Sequence, residues 1–247
     1  MLSEFTPLQL LFTCLLFVWA GFVRSGLGFG GAALALPLML LVHDQPLFWL
    51  PMIGFHLLFF SGLTLRTRIH NVDWVYLKQA ARFVVPAALV GVFGLISLPN
   101  HWLVIFIYAV TLFYGLLWSF NLELQSNKTW LDGLFLILGG YVAGISLSGA
   151  PLMVAVFMRN IARHQLRNTM FVLWFSLVSI KLTTLATLGF KLYFLDSMLL
   201  IPVAAIGHLA GLKVHDYILQ NDRRFKQVIG VVLSIICLFG LWHIANS

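Results

Sequence analysis

The chain is 247 residues long, 61% of them hydrophobic and 9% charged, with a mean hydropathy of +0.97. That composition excludes a soluble domain of this length. The formal charge of +7 is small for the size and leaves no room for the folded basic surface that a nucleic-acid partner needs.

Apolar stretches recur along the whole length, so the expected fold class is an all-α polytopic membrane protein. The short alternating segments of a transmembrane barrel do not occur. The opening, "MLSEFTPLQLL", carries an acid, no basic stretch and no small-residue cleavage site. It reads as the start of the first membrane segment rather than as a signal peptide. A glycine-broken segment then runs over about 8–41, followed by helices at about 46–64, 73–97 and 101–119. A second broken segment covers about 130–158, with helices at about 169–188, 193–213 and 226–244 after it. Trp49, Trp74, Trp102, Trp118, Trp130 and Trp242 fall near segment ends, where an interfacial belt belongs. Cys14 and Cys237 both sit in apolar segments, which predicts inert core thiols and neither a disulfide nor a metal site.

The chain repeats itself. A shift of 118 lays Gly26 on Gly144, Gly31 on Gly149, Ala32 on Ala150 and Leu34 on Leu152; a shift of 116 lays Pro86 on Pro202, Ala88 on Ala204 and Gly91 on Gly207. Two structural repeats are expected, over 1–120 and 121–247, forming one membrane domain. Lysine and arginine cluster in 66–82, 159–167 and 213–226. The positive-inside rule asks for all three on the cytoplasmic side. They share a side only if each broken segment enters and returns as a hairpin. The second arms, 31–41 and 149–158, are about 16 Å long as helix, against roughly 30 Å of hydrocarbon. Each repeat is then a hairpin plus three crossings, the second repeat is inverted, and both termini face outside.

The hairpin tips, "RSGLGFGG" and "GISLSGAP", are expected to meet near the membrane middle. Backbone that leaves the helix at that depth survives only in a cavity or packed in protein. The second arms begin at about 30–32 and 148–150, and their free N–H groups and positive dipole ends make an anion site. Arg24 adds a full charge and a planar fork. Ser25, Ser146 and Ser148 add hydroxyls, and Gly26, Gly28, Gly30, Gly31 and Gly149 let a ligand approach the main chain.

"GFVRSGLGFGGAALALPLM", with "GGYVAGISLSGAPLM" and the arginine-containing stretch 163–169, resembles the TauE/SafE sulfite exporter-like family, also called the toluene sulfonate uptake permease family. The resemblance covers essentially the whole chain. It implies a secondary transporter of sulfite, an organosulfonate or a related small anion, without a cofactor, in a bacterial inner membrane. Alternating access of inverted halves is the expected mechanism. Substrate, direction, coupling ion and any homodimer stay open. The second motif departs from the pattern, with Ser146 and Ser148 where glycines are expected.

Each residue has a plainer reading. Arg24 can snorkel, although an intramembrane arginine costs at least about 2.5 kcal/mol and points to function by default. For Lys181, about 10 Å from its helix end, snorkelling and substrate contact stand level. His56 and His208 are candidates for proton relay or simply packing histidines. The eight acids lie at or near segment ends, with Asp132 closest to a membrane interior, so a carboxylate relay is not expected. Two rival functions share these features. An anion channel has the same architecture. A serine-dependent intramembrane protease would use Ser146 in "GISLSG" with His208 in "GHLAG".

Overall fold

The computed structural model describes residues 2–27, 31–220 and 222–246, with the side chains of residue 3 and of 215–222 outside the description. No strand occurs among the described residues, and ten α-helices follow one another. They are α1 (Pro7–Leu27), α2 (Gly31–Val42), α3 (Pro46–Arg68), α4 (Trp74–Ser97), α5 (Asn100–Ser119), α6 (Thr129–Ser146), α7 (Ala150–Asn160), α8 (Arg163–Thr187), α9 (Phe194–Gln220) and α10 (Asp222–Ala245). Eight of these are long and apolar enough to cross a membrane, and α2 is a shorter apolar helix. The protein is a multi-pass helical membrane protein.

Both broken segments fold back on themselves. Gln9 near the start of α1 donates to the Val42 carbonyl at the end of α2, and Trp19 Nε1 donates to the Leu34 carbonyl. A Cβ on Gly31 would lie 3.1 Å from the Ala20 oxygen and 3.0 Å from Arg24 Cβ. The arms are therefore antiparallel. In the second hairpin, Gly149 at the start of α7 abuts Gly139, while Arg159 and Asn160 at its end reach Asp132 at the start of α6. The first arms are longer than a half-crossing. With 21 and 18 residues, α1 and α6 each have the length and hydropathy of a full span. Gly31 sits about 20–25 Å along the α1 axis from Pro7.

The helices pack into two compact units. One comprises Met1–Trp49, Leu98–Glu123 and Tyr193–Ser247, and the other Leu50–Ser97 and Leu124–Leu192. In the first, α1 packs along α9, α5 along α10, and α2 against α5 and α10. In the second, α4 packs along α6, with α8 against α4, α6 and α7. Each hairpin thus has a long partner helix from the other half of the sequence.

The same set of close approaches occurs once in each unit. Gly91 on α4 faces the Tyr141 carbonyl and Gly144, and a Cβ on it would lie 3.1 Å from Ile145 N. Gly211 on α9 faces the Phe22 carbonyl and Ser25, and a Cβ on it would lie 3.0 Å from Gly26 N. Gly140 meets Val84 as Gly21 meets Ala204. By contact, Ser25 answers Gly144 and Gly211 answers Gly91, so α1 is one residue and α9 one helical turn away from the registers of 118 and 116. The α2–α7 register stands, because Gly31 meets Ala20 and Arg24 as Gly149 meets Gly139 and Ala143. The second tip is therefore one residue shorter, and the position answering Arg24 is Ala143.

Three expectations change. Helix α8 starts at Arg163, six residues before the apolar run, and α9 continues to Gln220. Polar residues at a membrane surface extend a helix as well as apolar ones do, because the backbone bonds do not depend on hydropathy. Trp49 is not an interfacial anchor. It is fully buried, donates from Nε1 to the His43 carbonyl at 2.7 Å, and packs on Phe5, Phe17 and Phe48. Trp74, Trp102, Trp130 and Trp242 are exposed, as a belt requires.

Candidate functional site

The second tip is built from the end of α6, the start of α7 and the middle of α8. Helix α6 stops because Leu147 turns left-handed, with φ 59° and ψ 15°, and its N–H bonds the Ala143 carbonyl. A left-handed C-cap is usually glycine, and a leucine there is held by its burial at 3% exposure. Three residues on, α7 begins at Ala150 with Gly149 as N-cap, and no side chain caps it. Its first N–H groups are those a helix cannot pair internally, and Pro151 removes one of them.

Lys181 reaches this link from α8. The side chain is buried at 1% exposure, and Nζ donates to the Ile145 carbonyl at 3.3 Å. Among the described residues, that is its one hydrogen bond, and it makes no salt bridge. An ammonium carries three donors. Lys181 therefore does not snorkel. Its Nζ stands at the negative end of the α6 dipole, where a positive charge is favoured, and has donor capacity beyond the Ile145 bond. Ser146 and Ser148 are buried at 0% and 1%. Their hydroxyls donate to the Val142 and Ser146 carbonyls at 3.0 and 3.2 Å. Their protons serve the main chain here, and their lone pairs remain.

The first tip holds Arg24, Ser25 and Gly26 at the end of α1 and Gly31 at the start of α2. Gly28 and Gly30 lie outside the described residues. Arg24 is half-buried, with Nε and Nη2 enclosed. Val23 and Leu27 on α1 and Leu34 on α2 join Ile229 and Leu233 in an apolar cluster. Ser25 is hydrogen-bonded to Nδ1 of His208 on α9, both buried. Gly211, one turn beyond His208, lets α9 close on Ser25 and Gly26.

Each described site residue thus has a place within its own unit. Arg24, Ser25, Gly26, Gly31 and His208 are gathered in one, and Ser146, Ser148, Gly149 and Lys181 in the other. His56 belongs to the second unit, where it is buried and bonds its own helix through the Met52 carbonyl. The His208 ring bonds Ser25, and the Ser146 hydroxyl bonds the Val142 carbonyl. No group of three or more metal-ligating residues occurs among the described residues.

One cluster goes beyond the sequence reading. Asp132, buried at 9%, accepts hydrogen bonds from Ser126, from Arg159 Nη1 at 3.1 Å and from Asn160 Nδ2 at 3.4 Å. It ties the open end of the second hairpin. The signal was available: once 130–158 is a hairpin, residues at its two ends must be neighbours, and they carry opposite charges.

The family described as Sulfite exporter TauE/SafE matches residues 13–239, most of the chain. The chain belongs to the TauE/SafE family. No curated relative and no solved structure matches it. The family match contains both hairpin tips, Arg24, Lys181 and the Ser25–His208 pair. As a TauE/SafE protein with eight helices of spanning length, it is a membrane transporter.

Proposed function

We propose that the protein carries a small oxyanion, sulfite or an organosulfonate, across the bacterial inner membrane by alternating access. The observation that carries this reading is Lys181, a fully buried ammonium whose one bond is to a neutral carbonyl, set at a helix break. A buried charge costs several kcal/mol unless it is paired. An anion that takes the spare donors of Lys181 and the uncapped start of α7 supplies the pairing. Arg24 gives the first hairpin a cation of its own, with a fork that matches planar or tetrahedral oxyanions. An outward-moving anion is driven by the inside-negative potential at about 2.3 kcal/mol per charge per 100 mV, which favours export.

The test is thermal stabilisation of the purified protein by sulfite, sulfate, sulfoacetate, taurine, benzoate and phosphate. At one hundred times its dissociation constant a ligand adds about 2.7 kcal/mol. One anion that stabilises the wild type but neither Lys181→Met nor Arg24→Ala identifies the substrate class. Equal stabilisation of all three proteins refutes the site. Counterflow of labelled substrate in vesicles then separates a carrier, which exchanges and saturates, from an anion channel of the same architecture.

A further inference from the structure

Six cations of the second unit gather at one end. The end of α3 brings Arg66 and Arg68, the start of α4 brings Lys78 and Arg82, and the start of α8 brings Arg163 and Arg167. These parts are held together. The Asp73 N–H donates to Thr169 Oγ1 at 3.0 Å, Tyr76 packs edge-on against Phe157, and the 3₁₀ turn Ile69–Asn71 packs on α8. Two acids are at hand and both are engaged. Asp73 Oδ1 accepts from the Tyr76 N–H at 2.9 Å at the start of α4, and Asp132 is taken by Arg159, Asn160 and Ser126. Among the described residues, none of the six cations forms a salt bridge.

Within this group Arg68 and Arg167 stand apart. Arg68 is the residue that leads into the 3₁₀ turn Ile69–Asn71, and that turn packs on α8, the helix whose first turns carry Arg167. Arg167 is not a loose surface side chain. Its guanidinium lies 5.4 Å from the Phe171 ring centroid, and its Nε is buried with no protein acceptor. Like charges brought together by packing, with unused donors and no carboxylate, are the signature of an oxyanion site. The rim is apolar: Ile69, Trp74 and Val75 are exposed at 51%, 44% and 72%. Water-facing cations interleaved with large apolar side chains fit the headgroup layer of a membrane.

We propose that Arg68 and Arg167 form a phosphate-binding site for an acidic phospholipid headgroup, distinct from the transport site. Two forks from α3 and α8 grip the phosphodiester, and Ile69, Trp74 and Val75 meet the glycerol and upper acyl chains. The positive-inside rule assigns this end to the cytoplasmic leaflet. The bound lipid bridges the two side chains and so clamps the 3₁₀ turn to α8.

The experiment uses the full-length protein, delipidated in detergent, and reads the unfolding midpoint. The arms are phosphatidylglycerol, phosphatidylcholine, and soluble glycerophosphate with inorganic phosphate. The proteins are wild type, Arg68→Gln, Arg167→Gln, Arg167→Lys and, as a control from the same patch, Arg82→Gln. Phosphatidylglycerol is expected to raise the wild-type and Arg82→Gln midpoints equally. In Arg68→Gln and Arg167→Gln the rise falls by at least half. Arg167→Lys, which keeps the charge and loses the fork, stands between. Phosphatidylcholine is expected to leave the wild type unchanged. If Arg82→Gln loses as much as Arg68→Gln, the effect is diffuse surface charge and the site is refuted. If the soluble phosphates reproduce the rise, the lipid assignment is refuted. A failure of Arg167→Gln to fold leaves Arg68→Gln, an exposed side chain, to decide.

Discussion

Gly149 lies directly against the carbonyl of Gly139, so that a Cβ on Gly149 would overlap that oxygen and stand 3.0 Å from the Ala143 nitrogen. The obstruction is backbone, which cannot swing aside. Gly149→Ala is therefore expected to overpack the second hairpin by about 1–3 kcal/mol. Gly62→Ala is the comparison, because its Cβ would meet only the Phe175 ring at 3.6 Å, an ordinary contact. There the helix gains up to about 1 kcal/mol from losing a glycine. Thermal midpoints in detergent should fall for the first variant and hold or rise for the second.

Lys181→Met separates folding from function. Exchanging a buried charge for an apolar side chain of similar length is neutral or stabilising. The unfolding midpoint is expected to stay level or rise, while anion affinity by thermal shift falls at least about tenfold, or about 1.4 kcal/mol. A variant that keeps wild-type affinity removes Lys181 from the site.

The hydrogen bond between Ser25 and His208 links α1 to α9 across the Gly211 contact. Ser25→Ala leaves a buried ring nitrogen without that partner, at about 1–3 kcal/mol. A double-mutant cycle with His208→Phe should show coupling of about 0.5–3 kcal/mol. Additive effects within error would mean that the two side chains act separately.

At the open end of the second hairpin, Asp132 and Arg159 are not equivalent. Asp132 serves three donors, whereas Arg159 is 37% exposed and water can replace its bond. Asp132→Ala should lower stability by about 2 kcal/mol or more, and Arg159→Ala by no more than about 1 kcal/mol. The reverse order of midpoints would show that the charge pair matters more than the bond network.

Topology is testable without transport. A reporter active only outside the cytoplasm is expected to work when fused after Ser247 and to be silent when placed in the loop before Trp74, next to Arg66 and Arg68. The opposite pattern inverts the assignment of all three cationic clusters.

The fold was legible where hydropathy and glycine carry it. Both hairpins and the starts of their second arms emerge from the sequence because a break inside an apolar run has few other uses. The ends of α8 and α9 were not, because helicity persists where hydropathy fades. The partners of the site residues were hidden for another reason. Lys181 bonds a residue 36 positions away and Ser25 one 183 away, and no periodicity reports contacts between separate helices. Neither could the sequence show that Ser146 and Ser148 spend their protons on the main chain, since a serine at a helix break suits a ligand or a carbonyl equally.

The exchange of helices between halves has a consequence for biogenesis. Helix α1 rests on α9, which begins at Phe194, so the first hairpin leaves the ribosome long before its partner exists. At 5–20 residues per second the delay is about 8–33 s. During that time Arg24 and Ser25 sit in the bilayer or its insertion machinery without His208 beside them. The half-chain 1–120 lacks the long partner of α1, and 121–247 lacks that of α6. Neither fragment should accumulate alone, yet the two expressed together should recover one another, because each carries the long partner helix of the other's hairpin.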